Sequence, residues 1–243
     1  MSTWPRQTLR TRNVLLTALA LFLASALTAS ASAQELAMDI RYDVKVRMPD
    51  GVQLSVDVFR PRDTAKHPTV FSLTPYNNDS EGTMQQAWRF VQRGYAYVTG
   101  DVRGRYDSEG GEFVPYRADG KDGSAIMSWI AQQPWSNGKV ATNGGSYLGK
   151  NQWMMAKENN PHHAAIVSYV APADAFNDEV RYNGVPKVDL MFTWAMGMDG
   201  RVNQTRTGWN WGQIMRGLPL NTLDEKAGRE VPFWRELMQH DRL

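Results

Sequence analysis

The residues with the most chemical promise stand in one run, Val140-Ala141-Thr142-Asn143-Gly144-Gly145-Ser146-Tyr147-Leu148-Gly149, where a strand pattern meets a glycine-flanked serine and then a helical pattern. A serine on such a strand-to-helix turn sits in strained backbone that small neighbours tolerate, and its hydroxyl projects above the strand ends, placed to attack. The helix behind it aims backbone N–H groups and the positive end of its dipole at the same point, which suits the oxyanion of a tetrahedral intermediate. Two other readings compete. A phosphate-cradling loop would need GxxxxGK[ST], but Lys150 follows the last glycine and precedes no Ser or Thr. A merely structural Gly-Ser turn stays open as the alternative to a nucleophile.

Composition narrows the remaining chemistry. The 243 residues include no cysteine, which excludes a thiol nucleophile, a disulfide framework and a thiolate zinc cage, and only 4 histidines are available as bases. No HExxH or dinucleotide fingerprint occurs, so neither a metal nor an organic cofactor is expected. Arg6, Arg10 and Arg12 precede an apolar run from Val14 to about Leu27 and then the small residues Ala31-Ser32-Ala33, the layout of an export signal over residues 1–33 with cleavage after Ala33. That run is short for a spanning helix, so no stable membrane anchor is expected and the mature protein is placed in the periplasm or outside the cell. Removing the signal leaves 24 Lys and Arg against 25 Asp and Glu. The mature chain is thus near neutral, with no electrostatic case for nucleic acid as a partner.

The elements that must position the serine follow from periodicity. Residues 42–48 and 52–59 alternate on either side of Asp50-Gly51, which predicts an antiparallel hairpin. Compact apolar runs at 69–73, 95–99, 140–142 and 166–169 read as strands buried on both faces, with helices between them at about 84–93, 121–133 and 147–158. A hairpin followed by β-α-β units predicts an α/β fold with a mixed sheet. From about Asp174 the pattern turns to Met-, Trp- and Phe-rich segments, read as helices covering the end of the sheet. The stripe Met191, Phe192, Trp194, Met196 and Met198 reads as core packing.

The serine run has the spacing G-x-S-Y-x-G, and other stretches accompany it in order: Arg47-Met48-Pro49-Asp50-Gly51-Val52-Gln53-Leu54, Thr74-Pro75-Tyr76, Asp101-Val102-Arg103-Gly104-Arg105 with Ser108-Glu109-Gly110, and Gln133-Pro134-Trp135-Ser136-Asn137-Gly138-Lys139-Val140. Together these resemble the Xaa-Pro dipeptidyl-peptidase, cocaine esterase and α-amino-acid ester hydrolase family of serine hydrolases, over roughly residues 38–243. The resemblance implies an α/β-hydrolase fold, a mostly parallel sheet with helices on both faces and the start of a helical cap, with residues 34–175 in the core and 176–243 in the cap. It implies Ser146 as nucleophile and the backbone N–H of Tyr147 and the phenol of Tyr76 as the two halves of the oxyanion hole. It also offers Glu179 as a carboxylate for a substrate ammonium, against a solvated helix face. Asp101 and Arg103 are expected to serve structure through an internal ion pair.

A nucleophilic serine in this fold needs a histidine base and an acid to orient it, after the serine in the chain. Of the histidines after Ser146, His162 and His163 close the helix behind the elbow and should lie at the far edge of the sheet, while His240 follows a cap-like helix. The expectation is therefore the N-terminal part of a longer enzyme whose triad Asp and His lie elsewhere. Its substrate would be a small ester, amide or short peptide, cleaved through an acyl-serine, and an oligomer is compatible with the sequence. The alternative is a non-catalytic relative that binds a ligand or partner.

Overall fold

A computed structural model describes residues 38–172 and 174–240; the expected export signal lies outside the described residues. Strands β1 (Met38–Arg47) and β2 (Gln53–Pro61) form an antiparallel hairpin. It turns through Pro49 and Asp50, and Gly51 closes the turn at φ 92°, a left-handed conformation that favours glycine. β2 continues antiparallel onto β4 (Ala96–Asp101), and from there β3 (His67–Thr74), β5 (Ser136–Gly145) and β6 (His163–Tyr169) add in parallel, giving the order β1-β2-β4-β3-β5-β6.

Alternation within the central strands assigns each face a helical layer. Leu54, Val56 and Val58 of β2, Phe71 and Leu73 of β3 and Val98 of β4 share a buried cluster with Ile126, Met127 and Ile130 of α2 (Asp119–Ala131) and Met155 of α3 (Tyr147–Lys157). Residues of the opposite parity, Phe59, Val70 and Tyr97, meet Ala87 and Val91 of α1 (Glu81–Val91) on the other face. Period-2 strands carrying apolar residues at both parities need cover on both sides, and the crossover helices supply it.

The consequence for function is geometric. Because β4, β3, β5 and β6 are parallel, their C-terminal ends lie along one edge of the sheet. The segments just beyond them bring Tyr76, Arg105, Ser146 and Val170 to that edge, where α/β sheets usually bind ligands.

Beyond β6 the chain makes a wide helical turn (Ala175–Val180) and a two-stranded hairpin, β7 (Arg181–Tyr182) with β8 (Val185–Pro186). Helices α4 (Val188–Met198), α5 (Trp211–Ile214), α6 (Leu223–Lys226) and α7 (Pro232–Gln239) follow. The hairpin departs from the all-helical expectation for this region. Its signal is Asn183-Gly184, whose φ values of 49° and 81° suit a two-residue β-turn. Around Phe192 and Trp234 these helices bury a second cluster with Met191, Met196, Leu223 and Val231, so most of the Met and Phe stripe does pack as core. Among the described residues no helix is long and apolar enough to cross a membrane.

Candidate active site

Ser146 is held at φ 56° and ψ −122°, between the end of β5 and the first residue of α3. A non-glycine residue there is strained, and the surroundings must enforce it. Its N–H donates to the carbonyl of Tyr169 at 3.1 Å, tying the turn to the end of β6. The glycines around it permit close packing: a Cβ on Gly145 would stand 2.5 Å from the Tyr169 ring, and one on Gly149 would stand 2.8 Å from Ala171 Cβ and 3.0 Å from the Tyr169 carbonyl. The elbow therefore sits against β6 at a distance that side chains at these positions would forbid. Tyr147 opens α3, where an N–H has no carbonyl one turn back in its own helix and remains available to a ligand.

Tyr76 reaches the same point from the end of β3. Its N–H is held by Thr74 Oγ1 at 3.0 Å, its side chain lines the same cavity as Ser146, and its phenol oxygen accepts the Trp194 indole N–H at 3.2 Å. With the indole donating, the phenol proton is left to point elsewhere. Burial raises the Tyr76 pKa further above its ordinary 10.0, so the group stays a neutral donor.

Two buried networks hold these parts. Arg105, completely buried, donates to the carbonyl of Pro75 at 3.0 Å, directly before Tyr76, and to that of Met198 at 2.8 Å, at the end of α4. It also donates to the Gly200 carbonyl and Asn203 Oδ1, and its guanidinium lies 5.1 Å from the Phe113 ring. The cation thus faces the negative end of a helix dipole and fastens the Tyr76 loop to the helical layer. Behind the elbow, the Tyr147 phenol accepts the Tyr116 N–H at 2.9 Å, and Asp119 accepts at 3.3 Å from Asn151, which also donates to the Leu73 carbonyl at 2.9 Å. Burial raises Asp119 to about 6.

Asp101 and Arg103 do not pair with each other as expected. Arg103 grips Asp122 through two bonds of 2.9 and 2.7 Å and reaches Asp50 at 2.8 Å, while Asp101 receives the Asn78 N–H at 2.9 Å and so anchors the loop after Tyr76.

A cavity of about 480 Å³ opens beside Ser146, walled by Tyr76, Tyr116, Met191 and Trp194 with Val170 and Glu179 at its sides. A larger cleft of about 640 Å³ lies between Asp50, Arg103, Lys121 and Lys157 but is lined by no serine or threonine. Glu179 does reach the serine cavity, but its Oε2 accepts from Lys150 Nζ at 2.7 Å and its Oε1 from the Tyr116 hydroxyl at 3.3 Å. Trp194, Tyr116 and Lys150 had no signal as site residues in the sequence, because aromatic residues in a core-like stripe and an isolated lysine are uninformative until the fold brings them together.

The histidines lie elsewhere. His163 begins β6 opposite Val140, with its ring on Thr142 Oγ1 at 2.9 Å; His162 contacts the Gly138 carbonyl at 3.0 Å; and His67 opens β3, paired with Asp63 at 2.8 Å. All three sit toward the N-terminal edge of the parallel strands, away from Ser146. His240 is exposed past α7, where its carbonyl accepts from Arg181 at 2.8 Å. None of the four lines the Ser146 cavity. Among the described residues no group of three or more His, Asp or Glu is arranged to hold a metal ion.

A mixed sheet with helices on both faces and a strained serine at a strand-to-helix elbow defines an α/β-hydrolase fold. Residues 50–243 match the family of X-Pro dipeptidyl-peptidases (S15 family), and the chain belongs to that family. It is 39% identical over 138 residues to the cocaine esterase of Rhodococcus sp. (strain MB1 Bresler), covering 55% of this chain and 24% of that enzyme. A CocE/NonD family hydrolase from Staphylococcus aureus superposes with TM-score 0.60 at 28% identity, over 66% of this chain and 32% of the other. An α-amino acid ester hydrolase superposes with TM-score 0.70 at 24% identity, over 87% and 39%. The chain thus spans between a quarter and two-fifths of the length of these relatives.

Proposed function

We propose that the protein is an exported serine hydrolase that cleaves an ester or amide bond through an acyl-Ser146 intermediate. In this reading Ser146 Oγ attacks the substrate carbonyl carbon and loses its proton to a histidine base. The oxyanion forms between the Tyr147 N–H and the Tyr76 hydroxyl, and the leaving group departs with that proton. Water then attacks the acyl-serine and restores the enzyme. The observation that carries the reading is the strained Ser146 facing a phenol whose oxygen is already satisfied by Trp194, which leaves its proton for the oxyanion.

The base and its orienting acid belong to a longer enzyme, of which this sequence is the N-terminal part. Supporting this are the absence of histidine from the Ser146 cavity and the greater length of the relatives. Residues 34–243 alone should then turn over esters no faster than their Ser146→Ala variant. The test in the full-length enzyme is labelling with a fluorophosphonate followed by peptide mapping. Label on Ser146 that vanishes in Ser146→Ala supports the proposal. Label on another serine refutes the assignment of Ser146, and no label at all favours a family relative that binds without catalysis.

A further inference from the structure

Resting on the reading of the Ser146 cavity as a substrate site, we propose that Lys150 is a specificity-determining residue: it occupies the cavity's Glu179 carboxylate, so that the site takes a neutral aryl or alkyl acyl group and rejects one bearing an α-ammonium. Lys150 lies one turn beyond the nucleophile on α3, its N–H bonded to the Ser146 carbonyl at 3.0 Å. Its Nζ meets Glu179 at 2.7 Å and rests 4.0 Å from the centre of the Tyr116 ring. The two side chains are 16% and 21% exposed, so this pair is mostly withdrawn from water rather than a loose surface contact.

The other Glu179 oxygen is taken by the Tyr116 hydroxyl, and Tyr116 is itself stacked on Tyr147 at 4.0 Å. A substrate ammonium would have to displace Lys150 and leave that cation desolvated over an aromatic ring without its carboxylate, a costly exchange. The remaining acid at the cavity, Asp178, is exposed at the rim, accepts the Asp174 N–H at 3.1 Å, and has Lys187 Nζ bonded to its carbonyl. What faces the nucleophile otherwise is aromatic and apolar: Tyr76, Trp194, Leu190, Met191 and Pro172. Such walls favour an uncharged acyl group by area burial and ring contact.

The experiment measures binding and is independent of turnover. In a Ser146→Ala background of the full chain, affinities for phenylacetamide and for phenylglycinamide, which differ by one α-ammonium, are measured by titration calorimetry at mildly acidic pH where the amine is charged. With Lys150 present, the neutral probe should bind at least as well as the cationic one. Lys150→Met should shift the ratio toward the ammonium by roughly 10- to 100-fold, the value of one charge-assisted hydrogen bond. Adding Glu179→Gln should cancel the gain, and Lys150→Arg should show none. Should Lys150→Met not fold, Lys150→Gln serves the same comparison. A tenfold preference for the ammonium with Lys150 in place, a ratio unmoved by its removal, or binding of neither probe would overturn the proposal. Fluorophosphonate labelling in the Ser146 protein separates the two claims: loss of label with the expected ratios removes the hydrolase reading, whereas label with the wrong ratios removes only the role of Lys150.

Discussion

Replacing Asp101 by Asn should stabilise the protein in a strongly pH-dependent way. Asp101 is fully buried at the end of β4; one carboxylate oxygen accepts the Asn78 N–H, and the other is buried with no hydrogen-bond partner. Burial first, and the charges of Asp107 and Asp57 second, raise its pKa from 3.8 to about 7. A carboxyl group with a raised native pKa holds its proton in the folded chain after the unfolded chain has lost it. Its contribution therefore falls as pH rises from the unfolded value to the folded one. At about 1.4 kcal/mol per unit, the loss approaches ~4 kcal/mol above neutrality, and about 3 kcal/mol of it falls between pH 5 and pH 8. Asn keeps the oxygen that accepts from Asn78 and cannot ionise. Urea unfolding at pH 5 and pH 8 should thus show Asp101→Asn gaining about 3 kcal/mol more at the higher pH. Asp57 and Asp119, each raised to about 6 mainly by burial, keep a milder slope of the same sign in the variant. A gain of equal size at both pH values, or no gain at pH 8, would refute the assignment of a buried, proton-holding Asp101.

Other outcomes follow from the same geometry. Tyr76→Phe in the full-length enzyme should lower kcat roughly 10- to 1000-fold, as loss of one oxyanion donor does, with KM nearly unchanged in steady-state assays. Arg105→Met strips the Pro75, Met198 and Gly200 carbonyls of their donor, and urea titration should show a loss of about 3 kcal/mol or more. Gly149→Ala should cost about 1–3 kcal/mol by thermal or urea unfolding, because its Cβ would press α3 away from β6.

The sheet was legible where apolar residues alternate or cluster. β3 and β4 match the runs at 69–73 and 95–99, and α3 is within a residue of its expected span. β5 extends well beyond 140–142 because Ser136, paired with His67 ahead of a register shift, and Asn143–Gly145, poor strand formers alone, are drawn into ladders with β3 and β6. α1 starts at Glu81 rather than near 84, where the Ser80 hydroxyl meets Thr83 at 3.0 Å at the N-terminus, a local polar signal that hydrophobic periodicity does not register. The elbow was visible because local sequence sets its backbone, and Tyr76 only through the resemblance carried by Thr74-Pro75-Tyr76. The Lys150–Glu179 pair and the Trp194–Tyr76 bond were not, since their partners are separated by long stretches of chain and no short motif encodes them.

The central claim is that Ser146 carries the acyl group. Its most direct test is intact-protein and peptide mass spectrometry of the full-length enzyme quenched in acid during turnover of a slow aryl ester. The account predicts an adduct with the mass of the acyl group, mapped to the peptide containing Ser146, that forms with a burst of phenol and decays at the steady-state rate. Turnover that continues with no adduct, or an adduct that persists in Ser146→Ala, would contradict it.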